Sequence, residues 1–327
     1  MEPAVFRWAV IGPGSIAHRF AEALPNVPGA VLQAVASRDL GRARDFAARH
    51  GAPSAVDSYE AIASDPLVDA VYIATPHPMH CDPAVLCLEH HKPVLVEKPM
   101  SVNAAFEHRM VEASRRNHTF LMEAMWSRFL PATRHVRELI ASGRIGEPRL
   151  LTADFSYSDD PVASKRNFQP ELAGGGLLDV GIYVMALASM VFGPRPVATS
   201  SYGRIGETGV DENAAMLLRY PGGGVASLTC GVRALGAGEA RLAGTEGRIE
   251  LKPFWRAESV KLITRTGEET TEFPFDGNGF EYEIREVMDC VRQGRIESLE
   301  YPLDESTAIM ETMDGFRREW GLVFPME

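Results

Sequence analysis

In the first third of the chain, short and nearly continuous apolar runs alternate with stretches of helical period. Residues 4–11, 31–36, 68–74 and 94–96 are predicted as strands, with a further one at 120–122, and helices are predicted over 15–24 and 40–50. Strands that are apolar on both faces and alternate with helices belong in a parallel sheet covered on both sides. After about residue 123 the rhythm changes. Helices over 131–142 and 176–191, the second apolar enough to be buried, lead into strand-like runs at 216–220, 225–230, 239–243, 248–251 and 260–264. Glycine-rich turns separate these runs, which predicts an antiparallel sheet. Two helices, 280–292 and 304–320, follow. The expected fold is α/β plus α+β. A doubly wound parallel sheet over 1–123 precedes a domain over 124–327 built on an open, mostly antiparallel sheet flanked by helices. A length of 327 residues suits two cores better than one.

The first predicted strand runs into Gly12-Pro13-Gly14-Ser15-Ile16-Ala17, a G-x-G-x-x-A pattern that opens a helix. In a dinucleotide-binding (Rossmann) domain the first glycine permits the tight turn and the second lets the backbone approach a pyrophosphate. The small third residue lets helix and strand pack closely. The helix start then offers free N–H groups and the positive end of its dipole. Gly12, Gly14, Ser15 and Ile16 are therefore candidate cofactor contacts. At the tip of the second strand the chain reads Ala36-Ser37-Arg38-Asp39. Ser37 and Arg38 suit the 2′-phosphate of NADP, whereas Asp39 is close enough to leave NAD open.

Glu97-Lys98-Pro99 follows the strand at 94–96. Ligands of open parallel sheets bind beyond the carboxyl ends of the strands, so Lys98 is expected to face the cofactor and to donate to a substrate oxygen. Farther on, Gly174-Gly175-Gly176-Leu177-Leu178-Asp179-Val180-Gly181-Ile182-Tyr183 sets Asp179 and Tyr183 four residues apart on one helix face amid apolar neighbours. Such buried polar groups must find partners. Together with the lysine they form a candidate proton-transfer network. Which of Lys98 and Tyr183 moves the proton is open.

The formal net charge of −11 argues against a nucleic-acid or anionic-membrane partner. No apolar stretch reads as the ~20 residues needed to cross a bilayer. Residues up to Val10 lack a basic leader region, so they read as a strand rather than a signal peptide. Four scattered cysteines point to reduced thiols and a cytoplasmic location. His77, His80, Cys81, Cys87, His90 and His91 cluster in sequence but lack the paired spacing of a zinc site, so no metal is expected.

These motifs resemble the Gfo/Idh/MocA oxidoreductases. The matching residues are Gly12 to Ala17, Thr75-Pro76 with His80, Glu97-Lys98-Pro99, Gly175 to Tyr183, and Gly244-Thr245-Glu246-Gly247. Glu123-Ala124-Met125-Trp126-Ser127-Arg128-Phe129 is similar to the dimeric dihydrodiol dehydrogenase and sugar-oxidising branch, as is tyrosine rather than histidine at 183. The resemblance implies an acid–base pair of Lys98 and Tyr183 oriented by Asp179. It places Thr75, Pro76, His80 and Glu97 beside the cofactor, and Trp126, Arg128, Phe155, Trp255 and Phe280 around the substrate. It implies hydride transfer between NADP or NAD and a secondary alcohol or hemiacetal carbon of a small sugar, polyol or cyclic diol, in a homodimer or higher homo-oligomer. A non-catalytic NADP-binding regulator of the same fold is the alternative.

Overall fold

The apolar run Phe6–Ile11 forms the first strand, β1, with Trp8, Val10 and Ile11 fully buried, as expected of a strand covered on both faces. The computed structural model describes residues 4–162 and 165–327. After β1 come α1 (Ser15–Ala23), β2 (Ala30–Ala36), α2 (Leu40–His50), β3 (Ser54–Val56), α3 (Tyr59–Ala63), β4 (Ala70–Ile73), α4 (Cys81–Glu89), β5 (Val94–Glu97), α5 (Ala104–Asn117) and β6 (Leu121–Ala124). The strands form one sheet in the order β3-β2-β1-β4-β5-β6, with every neighbouring pair parallel. The chain winds one way from β1 and the other way from β4, so the crevice for a ligand opens at their carboxyl ends. Ile11, Ile73, Val96 and Leu121 pack with Cys87, Leu88 and Met110 of α4 and α5 beneath that edge. The helix α2 shows how local chemistry sets an element. Asp39 accepts from Gly41 N and Arg42 N at its start, and Gly51 ends it at φ 74.

The following segment contains α6 (Pro131–Ala141), β7 (Pro148–Ser156), α7 (Ile182–Phe192), β8 (Ala198–Ile205), β9 (Asp211–Arg219), β10 (Val225–Gly231), β11 (Ala240–Gly244), β12 (Gly247–Leu251), β13 (Ser259–Thr264) and β14 (Gly267–Glu272). The last helices are α8 (Glu281–Arg292) and α9 (Leu303–Trp320). The second sheet runs β14-β13-β12-β11-β7-β10-β9-β8 and is antiparallel apart from the parallel pair β7–β10. The sequence reading contains neither β7 nor the outer strands β8 and β14. All three expose many of their residues, so their apolar runs are short.

Two compact units result. One comprises Met1–Trp126 with Phe275–Leu303, the other Ser127–Pro274 with Asp304–Glu327. The expected boundary after residue 123 assigned α8 to the second domain, but in the structure α8 packs within the first unit. There Arg285 donates to Asn26 O at 2.9 Å and Asn278 to Arg19 O at 2.8 Å. A second expectation also changes. The run Pro170–Phe192 is long and apolar enough to cross a membrane, with a mean hydropathy of 1.8. Because 78% of its window is buried inside the protein, it is the core helix of the second unit.

Candidate active site

In the first unit the glycine turn has the geometry its sequence requires. Gly12 sits at φ +89, and a Cβ there would lie 2.7 Å from Thr75 N, so only glycine lets this turn close onto the end of β4. Gly14 faces open space, where an added Cβ would meet nothing nearer than Ala74 O at 3.9 Å. It is the N-cap of α1, and neither a side-chain cap nor an acidic residue occupies that helix start. A space of about 510 Å³ adjoins the turn, lined by Gly14, Ser15, His18, Arg42, Phe46 and Arg49. A small turn, an uncapped helix dipole and nearby guanidinium groups fit a dinucleotide diphosphate. At the tip of β2, Ser37 is buried, Arg38 is exposed, and the Asp39 carboxylate is taken up in capping α2.

The turn after β5 is held by two buried glutamates. Glu97 accepts from Tyr72 OH at 2.5 Å and from Lys98 N at 3.1 Å. Glu123 accepts from Met100 N at 3.0 Å and from Tyr301 OH at 2.9 Å. Lys98 emerges between these anchors, partly exposed. Behind them lies Glu283 on α8, fully buried, its carboxyl oxygens without a hydrogen-bond partner. Burial, and then the charge of Glu97, pushes its carboxyl well above the usual range. His80 is fully buried, with Nε2 2.7 Å from Thr75 O and Nδ1 3.1 Å from Pro99 O. It therefore lies between the Thr75-Pro76 loop and the Lys98 turn, in contact with backbone oxygens of both. Trp126 and Phe280 stack at 5.3 Å in this same unit. Tyr72, Tyr301 and Glu283 belong to no local motif, and Glu123 is marked only as the first residue of the Glu123–Phe129 stretch, without a role.

In the second unit the Gly174-Gly175-Gly176 run leads into a π-helical turn, Leu177–Gly181, and then α7. Such turns are frequent at functional sites. Asp179 lies in the π turn, where Tyr157 OH donates to its Oδ2 at 2.5 Å. Asn167 Nδ2 in turn donates to the Tyr157 oxygen at 3.0 Å and to Asp159 at 2.6 Å. Burial, and then the charge of Asp179, pushes the Tyr157 phenol up, so it stays a donor and Asp179 an acceptor. Tyr157 was missed because it lies just beyond the unrecognised β7. Phe155, at the end of β7, stacks on Trp255 at 3.7 Å and meets the Tyr183 ring at 5.3 Å, tilted by 63°. Arg128 departs from its expected substrate contact. It is 5% exposed, donates to Ala186 O at 3.0 Å and pairs with Glu305 at 3.0 Å, tying α7 to α9. Among the described residues, no three His, Cys, Asp or Glu side chains gather as metal ligands. The four cysteines are buried free thiols.

A doubly wound sheet with this glycine turn, followed by a lysine-tipped strand and an Asp–Tyr helix, defines a nicotinamide-dependent oxidoreductase. Residues 6–125 match the oxidoreductase family with an NAD-binding Rossmann fold, and residues 133–250 match the GFO/IDH/MocA C-terminal domain. The chain belongs to the Gfo/Idh/MocA family. It is 40% identical to the trans-1,2-dihydrobenzene-1,2-diol dehydrogenase of Mus musculus over 98% of each chain. Among solved structures it is similar to a 3-ketoreductase from Actinomadura kijaniata in complex with NADP, with TM-score 0.84, 27% identity, and 96% and 97% of the two chains covered. It shares the fold of an aldose-aldose oxidoreductase from Caulobacter crescentus, with TM-score 0.88, 22% identity, and the same coverage.

Proposed function

We propose that this oxidoreductase is a dehydrogenase for a secondary alcohol or hemiacetal carbon of a small sugar, polyol or cyclic diol, and that it prefers NADP to NAD. The observation that carries the reading is the second unit's helix. It bears Asp179, held by the Tyr157 proton, and Tyr183, beside the Phe155–Trp255 plate. Aromatic faces suit the C–H faces of sugars and flat diols alike. The names of the relatives, a dihydrodiol dehydrogenase and a 3-ketoreductase, fall in the same substrate class. When bound, the dinucleotide supplies the hydride acceptor or donor.

In this mechanism Gly12, Gly14, Ser15 and Ile16 hold the diphosphate, and Ser37 and Arg38 hold the 2′-phosphate. Thr75, Pro76 and His80 brace the adjoining loop, and Glu97 braces the Lys98 turn from behind. The Lys98 ammonium donates to the substrate oxygen and polarises it, and Lys98 or Tyr183 carries the proton. Asp179, held by Tyr157, is assigned the orienting role. Trp126, Phe155, Trp255 and Phe280 line the substrate, and Arg128 positions α7.

The second sheet leaves one face bare, with Leu150, Tyr202 and Leu217 exposed beside a concavity of about 720 Å³. A second copy of this chain is the proposed occupant, since an exposed strand face can meet its own copy about a twofold axis. Four reduced thiols suit a cytoplasmic setting.

The test is formation of reduced nicotinamide with a panel of aldoses, polyols and cyclic diols, with Tyr183→Phe as control. Turnover on at least one class, lost in the variant, supports the reading. Tight cofactor binding with no turnover on any of them favours a non-catalytic regulator.

A further inference from the structure

The start of the helix bearing Asp179 and Tyr183 poses a problem that its own sequence does not solve. The first N–H groups of any helix lack intrahelical partners, and Ser, Thr, Asp or Asn at the cap normally meets that need. Here the cap region is Gly174-Gly175-Gly176, and no side chain within it caps the helix. The acceptor comes instead from Asp211 at the start of β9, 34 residues away, whose Oδ2 accepts from Leu177 N at 2.6 Å. The Gly176 amide also points at this carboxylate. Asp211 is fully buried, and its Oδ1 has no hydrogen-bond partner. Gly175, at φ +115, leaves the room it needs, since a Cβ there would lie 2.2 Å from Oδ1.

We infer that Asp211 is a positioning residue of the reaction: its carboxylate pins the first turn of the helix that carries Asp179 and Tyr183. The inference rests on the proposed role of those two residues. Burial pushes the Asp211 carboxyl up to about 7, against the pull of the Leu177 and Gly176 amides and of Arg317 on α9. Arg317 is itself matched by Asp314 at 2.7 Å and Glu327 at 2.7 Å, so its charge is largely answered elsewhere. The other titratable group close to Asp211 is Cys230 on β10, whose thiol burial and the Asp211 charge push well up.

The sign follows from the raised value. Below the unfolded value of 3.8 the native carboxyl stabilises the fold through its bound proton, and that contribution is lost as pH rises through about 7. Above that point the carboxylate is ionised. Bonds from amides to a charged acceptor are about twice as strong as neutral ones. The helix start is therefore held most firmly in the form that is least favourable to overall stability, a trade typical of functional sites.

The test compares Asp211→Asn with the native holoenzyme. Asparagine keeps an oxygen acceptor and removes the titration. A small displacement of reacting groups lowers turnover by roughly 10–100-fold, so kcat is expected to fall on that order with the cofactor KM unchanged. The acid limb of the pH–kcat profile near 7 should flatten. A variant with unchanged kcat and an unchanged acid limb overturns the inference, as does one whose cofactor KM rises in step.

If the variant does not fold, amide exchange on the native holoenzyme decides the matter. Protection of Leu177 and its neighbours, corrected for intrinsic rates, should rise as pH increases through about 7. Protection independent of pH overturns the pin. Because exchange reads the helix directly, it holds or fails apart from any effect of Tyr183→Phe on turnover.

Discussion

The molecule contains two glycine-rich turns, each leading into a helix, and it uses them in opposite ways. At Gly12-Pro13-Gly14 the helix start is uncapped and faces open space beyond Gly14. At Gly174-Gly175-Gly176 the space is filled from within. Added Cβ atoms would meet Asn167 O at 2.6 Å, Asp211 Oδ1 at 2.2 Å and Gly231 Cα at 2.9 Å. The first turn keeps its N–H groups for a ligand's phosphates, and the second has given them to the protein's own carboxylate. A run of glycines before a helix therefore specifies close approach, and only the surroundings decide what approaches. In the proposed mechanism the open turn serves cofactor binding and the filled turn holds the side chains assigned to the reaction.

The largest expected effect separates binding from chemistry on the open side. Lys98→Met removes the ammonium while Glu97 and Glu123 still hold the surrounding turn. A lost acid–base group lowers turnover by about 10²–10⁴-fold, and the cofactor dissociation constant should stay within about twofold of the native value. An unchanged kcat would remove Lys98 from the reaction. Next comes Gly14→Val. An added Cβ would meet nothing nearer than Ala74 O at 3.9 Å, so the native fold is expected to be retained. The diphosphate loses its close approach, and cofactor affinity is expected to drop about 100-fold, or about 2.7 kcal/mol. Native affinity in this variant, measured by calorimetry, would mean that the open space is not where phosphates bind.

Gly175→Ala is the mirror experiment. The left-handed backbone at φ +115 disfavours a Cβ there, and the new methyl displaces Asp211. We expect kcat to fall roughly tenfold and the melting temperature to drop, with cofactor affinity unchanged. Loss of cofactor affinity in its place would erase the distinction between the two turns.

Much of the open side was legible in the sequence. G-x-G-x-x-A between a strand and a helix, and Glu97-Lys98-Pro99 after another strand, are local signals whose parts lie within a few residues of one another. The filled side was legible only in part. Asp179 and Tyr183 stand out as polar residues in an apolar helix, but Asp211, which holds that helix, sits at the start of a strand 34 residues on and carries no motif. Tyr157 was hidden in the same way, because β7 alternates exposed and buried residues and lacks the apolar run that marks β1 or β5. The destination of α8 was also illegible. An apolar helix face shows that a helix is buried but not against which core, so Phe280 was grouped with the second domain although it stacks on Trp126 in the first unit.

The smallest effect concerns the far end of the open side, where the choice between NADP and NAD is expected to lie. Three residues stand at the tip of β2, and the structure distinguishes their roles. Ser37 Oγ accepts from Asp39 N at 3.2 Å, Asp39 caps α2 through Gly41 N at 2.9 Å, and Arg38 is exposed. An aspartate committed to capping is poorly placed to bind a ribose hydroxyl, while a free guanidinium matches a phosphate. Arg38→Ala should therefore lower the ratio of kcat/KM for NADP over NAD by about tenfold, the size of one charge-assisted contact, and leave thermal stability unchanged. Asp39→Ala should do the reverse, removing about 1 kcal/mol of helix capping without moving that ratio. Steady-state kinetics with both cofactors separate the two outcomes. If the ratio follows Asp39 and ignores Arg38, the preference for NADP is lost, and the cap residue must also contact the ribose.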